Sequence, residues 1–227
     1  MDGLLLIDKP KGWTSFDVVA KVRGILKQSG VAKPKVGHTG TLDPLATGLL
    51  VLCLGSYCKR ASEFSKLDKT YEVTMKLGQT STTGDEEGEI TAVSVTQPTP
   101  AALTQALGLF TGELEQTPPI YSAIKVNGQR AYKLAREGKA VKLEPRLVKI
   151  YSIHLTSYNY PEVIFTASVS SGTYIRSLAT DIGQTLGTGA YLTQLRRTKV
   201  GQFSIEYAQP MPELSAENIY ASIIVTN

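Results

Sequence analysis

A chain of 227 residues, 42% of them hydrophobic, can bury a full core without disulfides or a structural metal. Its two cysteines, Cys53 and Cys58, form no CxxC pair, and the two histidines, His38 and His154, form no ligand cluster; this argues against a zinc site and fits a reducing compartment. The net charge of +4 is uneven: the segment from Lys125 to Lys149 carries eight basic residues against Glu137 and Glu144, a net +6, so the rest of the chain is −2. Met1-Asp2-Gly3-Leu4 places an acid where a secretory signal carries positive charge, and no apolar run reaches membrane-spanning length, so a cytoplasmic protein is expected.

In chain order, Gly3 to Ile7 predicts a short strand, stopped by Lys9-Pro10-Lys11-Gly12. Thr14-Ser15-Phe16-Asp17 matches a capping box, and Val18, Val19, Val22, Ile25 and Leu26 follow at helical spacing, with an end expected near Gln28 to Gly30. Then comes Gly37-His38-Thr39-Gly40-Thr41-Leu42-Asp43-Pro44-Leu45-Ala46-Thr47-Gly48, whose three glycines and proline exclude a regular helix and predict a loop on an unusual backbone path. Directly behind it, Leu49 to Leu54 is an unbroken apolar run that predicts a buried strand. A loop anchored on such a strand is a common place for chemistry, yet from composition alone Asp43 is equally a turn cap.

Residues 61 to 69 predict a short helix or turn. Tyr71, Val73, Met75 and Leu77 then alternate with polar neighbours, the period of a strand with one buried face. Gly78 to Gly88, which contains Asp85, is turn-rich, and Ile90 to Val95 predicts a returning strand. Thr99-Pro100 opens a helix with Leu103, Ala106, Leu107 and Phe110 as its stripe, closed by Gly112. After Thr117-Pro118-Pro119, a strand is expected at Tyr121 to Val126, a turn at Asn127-Gly128, and a short helix from Arg130 to Glu137 capped by Gly138. Residues 147–155 and 163–169 predict two strands, with His154 on the polar phase. A helix follows Ser171-Gly172-Thr173, with the stripe Ile175, Leu178, Ala179, Ile182 and Leu186, and Tyr174 and Arg176 at its entrance. Tyr191 to Val200 predicts a strand, leaving room for one more strand and a short helix.

Strands outnumber helices and neighbours read as hairpins, so the expected class is α+β with a mixed, largely antiparallel sheet. The basic segment, with Tyr121, Tyr132 and Tyr151 in or beside it, suits a polyanion with exposed bases. The sequence holds no Walker A, dinucleotide-binding, G-x-S-x-G or HExxH pattern. A paired-carboxylate hydrolase would require the fold to bring Asp85 or Asp181 to Asp43. A lone aspartate acts as nucleophile or base when it stays ionised away from water, which calls for a nearby cation; Arg176 is the foremost candidate.

The loop from Gly37 to Gly48 resembles the signature loop of the tRNA pseudouridine synthase B family. Six further blocks resemble that family in order: Gly3 to Gly12, Lys69-Thr70-Tyr71-Glu72-Val73, Leu77-Gly78-Gln79, Tyr121-Ser122-Ala123-Ile124-Lys125, Ser171-Gly172-Thr173-Tyr174-Ile175-Arg176 and Leu195-Arg196-Arg197-Thr198. The resemblance implies a pseudouridine synthase fold and isomerisation of uridine-55 in the tRNA T-loop at a flipped-out nucleotide, without metal or organic cofactor. It implies that Asp43 is the catalytic aspartate, that Arg176 pairs with it, and that Tyr71 lies against the uracil as a candidate for proton transfer. Tyr174 and Leu195 would line the uridine pocket, His38 would contact RNA, Asp85 would hold Arg176, and Lys9 joins the substrate-binding set. The basic insertion, about residues 117 to 149, would clamp RNA through Lys125, Arg130, Lys133, Arg136 and Lys139. Whether Asp43 attacks C1′ of the ribose, attacks C6 of the base or removes the C2′ proton stays open.

Residues 1–227 are expected to form one catalytic domain. Many relatives continue into an RNA-binding PUA domain, for which this chain is too short, so tRNA binding is expected to lean on the insertion. The expected partner is tRNA, with no membrane, no obligate protein partner and a monomeric state. Two other readings compete: an RNA-binding module or tRNA-folding chaperone, in which Asp43 is structural, and a nucleoside or glycoside hydrolase using Asp43.

Overall fold

The computed structural model describes residues 1–126 and 128–226. Its strands and helices are, in order, β1 (Gly3–Lys9), α1 (Ser15–Gln28), β2 (Val36–His38), β3 (Thr47–Leu54), α2 (Ala61–Ser65), β4 (Lys69–Leu77), β5 (Gln79–Ser81), β6 (Ile90–Ala92), α3 (Pro100–Gly108), β7 (Gly112–Gln116), β8 (Lys125–Val126), β9 (Gln129–Arg130), α4 (Ala131–Arg136), β10 (Arg146–Asn159), β11 (Glu162–Val169), α5 (Ile175–Thr185), β12 (Ala190–Val200), β13 (Phe203–Ser204), β14 (Gln209–Pro210) and α6 (Ala216–Ala221). They form two compact units: one of residues 1–72 with 195–227, the other of residues 73–194.

In the first unit the strand order is β14-β1-β3-β12, with β2 added to β3 and β13 to β12. β1 runs antiparallel to β3 from Gly3↔Leu54 to Lys9↔Gly48, while β12 runs parallel to β3 through Arg196↔Thr47 and Arg197↔Gly48. Every residue of β3 after Thr47 is buried, which explains its unbroken apolar run. Leu4, Leu6, Leu49, Val51 and Cys53 pack with Tyr57, Phe64, Val200 and Phe203 into one cluster, in which Phe64 stacks on Tyr57 at 6.4 Å between ring centroids. The helix α1 starts on the expected reciprocal cap: the Asp17 amide donates to the Thr14 hydroxyl and the Thr14 amide to the Asp17 carboxylate.

In the second unit the order is β4-β11-β10-β7. β10 pairs antiparallel with both β11 and β7, and α3 packs against β10 and α5. Of the stripes expected on α3 and α5, Leu103, Ala106 and Leu107 on one and Ile175, Leu178, Ala179 and Ile182 on the other are buried, while Phe110 and Leu186 fall past the helix ends and are half-buried. The class is therefore α+β with mixed, largely antiparallel pairing, as the hairpin pattern implied.

Three local expectations change. Residues 90–92 do return as a strand, but an exposed one that pairs with β5 in a separate two-stranded ribbon. Gly112 does not close α3, which ends at Gly108, but opens β7, whose alternating Glu113 and Glu115 are exposed and hide the strand from a hydropathy reading. Between Tyr121 and Val126 only Lys125–Val126 is extended; the Asn127-Gly128 turn falls partly on Asn127, outside the described residues.

Candidate active site

In the first unit, the loop that carries Asp43 is held on nearly every side of that residue. The Ser15 hydroxyl, in the first turn of α1, accepts from the Leu42 amide at 2.8 Å and donates to the Leu42 carbonyl at 3.1 Å. The Gly12 amide donates to the Pro44 carbonyl at 2.8 Å, and the Ala46 amide to the Asp43 carbonyl at 3.0 Å. From β12, the Arg197 guanidinium donates to three main-chain carbonyls, Leu49 at 2.8 Å, Gly40 at 3.1 Å and Thr41 at 3.4 Å. Of the loop's glycines only Gly48 has a positive φ, +98°, and a Cβ there would lie 2.3 Å from the Arg197 carbonyl oxygen. Among the loop's glycines the left-handed backbone is therefore confined to Gly48, where β3 and β12 approach too closely for a side chain. Asp43 itself is half-buried.

Lys9, the last residue of β1, is fully buried, with its ammonium donating to the Trp13 carbonyl at 2.7 Å and the Pro10 carbonyl at 3.0 Å. Burial pulls its pKa down to about 8; Asp43 pulls it back up, Arg197 pushes it further down, and Asp17 raises it slightly. Between about pH 8 and the ordinary lysine value near 10.5, the unfolded chain binds a proton that the folded chain does not. The penalty for burying this charge is thus full below pH 8 and fades as pH rises. Relative to Lys9→Met, the wild type is expected to gain roughly 2 kcal/mol of stability between pH 7 and pH 10, read as urea unfolding midpoints. A difference that does not move with pH contradicts a charged, buried Lys9.

The remaining first-unit residues fall as follows. Tyr71 is buried near the start of β4, as its phase required. Leu195 is half-buried on β12, its carbonyl accepting from the hydroxyl of Thr47, the residue just after the loop's turn, at 3.5 Å. His38 ends β2, half-buried, opposite Leu52 of β3. Arg196 makes a two-pronged ion pair with Asp8, at 2.7 and 3.1 Å.

In the second unit, Arg176 lies in the first turn of α5 and is only 6% exposed. Its guanidinium donates to the Tyr121 carbonyl at 2.7 Å and the Thr83 carbonyl at 3.0 Å, and lies 3.5 Å from the buried Asp85 carboxylate. Asp85 is oriented in turn by the Thr83 hydroxyl and the Glu87 amide. Asp85 and Arg176, 91 residues apart in sequence, are thus brought together. Tyr174, half-buried, has its backbone gripped by the buried side chain of Gln116, which accepts from the Tyr174 amide at 2.7 Å and donates to its carbonyl at 3.0 Å. Ser177 donates to the Thr117 carbonyl at 2.8 Å. The entrance of α5 is therefore tied at Gln116, Thr117 and Tyr121 to the root of the basic insertion.

Lys125, Arg130, Lys133, Arg136 and Lys139 are all exposed. Arg136 lies over the Tyr132 ring at 5.7 Å, and Lys139 pairs with Glu137 at 2.7 Å. Asp181, on α5, lies in an open pocket with Leu109, Phe110, Leu114 and Gln184; burial raises its pKa. Sequence reasoning did not single out Ser15, Gln116 or Arg197. All three act on main-chain atoms, which leaves no pattern in hydropathy.

The architecture is that of a pseudouridine synthase. The solved structure of a Cbf5-Nop10-Gar1 complex matches with a TM-score of 0.73 at 31% identity, over 93% of this chain and 53% of that one. A second match, to an H/ACA RNP bound to a substrate RNA containing 2′-deoxyuridine, has a TM-score of 0.69 at 28% identity, over 93% and 52%. The model of the TruB family pseudouridylate synthase N-terminal domain matches residues 23–175, and that of the tRNA pseudouridylate synthase B C-terminal domain matches residues 176–222. The tRNA pseudouridine synthase B of Burkholderia lata is 47% identical over 95% of this chain and 65% of its own length; that of Burkholderia mallei is 45% identical over 95% and 70%. The chain belongs to the TruB family of pseudouridylate synthases. It spans about two thirds of the length of these curated relatives and about half that of the structural matches.

Proposed function

We propose that this protein isomerises uridine to pseudouridine in the T-loop of tRNA, at uridine-55, with Asp43 as the reacting carboxylate. The observation that carries this reading is the held loop: a single carboxylate between Leu42 and Pro44, each fixed through its main chain by a partner outside the loop. In the reaction the N1–C1′ bond breaks, the uracil turns, C5 joins C1′, the C5 proton is released and N1 takes up a proton, so the product is an isomer and no oxidant, reductant or second substrate is consumed. Attack at C1′, attack at C6 and removal of the C2′ proton all require an ionised carboxylate at one fixed place beside the nucleotide.

In this reading Arg176 supplies the positive charge that keeps Asp43 ionised, and Asp85 orients Arg176. Tyr71 lies against the uracil and takes part in proton transfer, Tyr174 and Leu195 line the pocket, His38 contacts the RNA, and Lys9 belongs to the substrate-binding set. The target base leaves its stack at a cost of roughly a few kcal/mol, less in a loop than in a duplex. Phosphate contacts from Lys125, Arg130, Lys133, Arg136 and Lys139 offset that cost.

Neutralising Lys133, Arg136 and Lys139 together is expected to weaken tRNA binding about 10- to 100-fold at low salt and to flatten the slope of log affinity against log salt by about 2. Unchanged affinity and slope in filter binding would contradict the clamp. An assay of tritium release from tRNA labelled at uridine C5, paired with nucleoside analysis, separates isomerisation from RNA binding alone, which releases nothing, and from hydrolysis, which forms no pseudouridine.

A further inference from the structure

Arg197 is 2% exposed, and its hydrogen bonds among the described residues all go to main-chain carbonyls. Taking a guanidinium from water is costly, and a neutral side chain of similar length would fill the same space at lower cost. Two more buried cations lie within its field: Arg197 pushes down the pKa values of both Lys9 and Lys69, which are brought to about 8 chiefly by burial. Bulk packing is a poor reason to hold three positive groups there.

The three carbonyls explain the choice. Gly40 and Thr41 precede Asp43 and Leu49 follows it, so one planar fork bridges the chain on the two sides of Asp43. The close approach at Gly48 brings the Arg197 backbone against the same turn, so the side chain and main chain of one residue tie both sides of Asp43 to β12. Ser15 does the same from α1, saturating both polar atoms of Leu42, the residue immediately before Asp43.

We propose that Arg197 and Ser15 are positioning residues that set the place of the Asp43 carboxylate, with no contact to the RNA. This rests on Asp43 being the reacting group. A carboxylate displaced by about 1 Å loses on the order of a hundredfold in rate while the rest of the substrate binds as before.

The test is pseudouridine formation under single-turnover conditions with saturating tRNA, measured beside tRNA affinity for Arg197→Lys and Ser15→Ala, with rates normalised to tRNA-binding-competent protein. Lysine keeps the charge but replaces the planar fork with a single ammonium, so the expected rate falls about 100-fold; Ser15→Ala is expected to lose about 10-fold. Both are expected to hold tRNA affinity within about threefold. If Arg197→Lys does not fold, Ser15→Ala decides by the same split. Rates within twofold of an active wild type, or losses of rate that only follow losses of affinity, overturn the positioning role. A wild type that forms no pseudouridine overturns the functional reading, and this proposal with it.

Discussion

Asp43→Asn is expected to abolish label release from C5-tritiated tRNA, by on the order of a thousandfold or more, while tRNA affinity stays within a few-fold. Asparagine keeps the size of the side chain and removes only its charge and basicity. These main-chain anchors of the loop do not depend on that carboxylate: Ser15 grips Leu42, Gly12 binds Pro44, Ala46 binds the Asp43 carbonyl, and Arg197 binds Gly40, Thr41 and Leu49. The loop should therefore stay in place, and thermal unfolding should move by no more than a few degrees. The proposed RNA contacts lie largely in the basic insertion, which this change does not touch. Retained isomerisation by Asp43→Asn would remove the reacting-carboxylate assignment and return Asp43 to a turn residue.

Arg176 gives the second large effect. Arg176→Met takes a cation from a buried site and leaves the Asp85 carboxylate and the Thr83 and Tyr121 carbonyls without it. An uncompensated buried charge costs roughly 3–5 kcal/mol, so loss of activity in this variant alone is ambiguous. Arg176→Met combined with Asp85→Asn removes both charges and is expected to recover much of the stability but none of the activity. Arg176→Lys keeps a charge yet cannot serve three acceptors from one planar group, and a loss of about 100-fold or more is expected. Activity near wild type in Arg176→Lys, or recovery of activity with stability in the double variant, would show that Arg176 serves the fold alone.

The sequence disclosed most of the architecture where local chemistry is strong. The reciprocal Thr14 and Asp17 cap, the buried run of β3, the alternation in β4 and the stripes of α3 and α5 are each written in adjacent or periodically spaced residues. β7 escaped because its glutamates and half-buried positions mask a strand that only pairing with β10 stabilises. Of the proposed site, Asp43 and Arg176 are legible as unusual charges at a loop and a helix entrance. The residues that hold them are not: Ser15 reads as a helix-start serine, Gln116 as a polar strand end and Arg197 as one of three cations in a basic stretch. Each finds its partner 27, 58 and about 150 residues away, at main-chain atoms that have no sequence identity.

The central claim, isomerisation of one T-loop uridine, is tested most directly with the wild-type protein and two tRNA transcripts tritiated at uridine C5, one with uridine and one with cytidine at position 55. The account predicts release approaching one label per molecule from the first, with pseudouridine found at position 55, and none from the second. No release from either, or equal release from both, would contradict it.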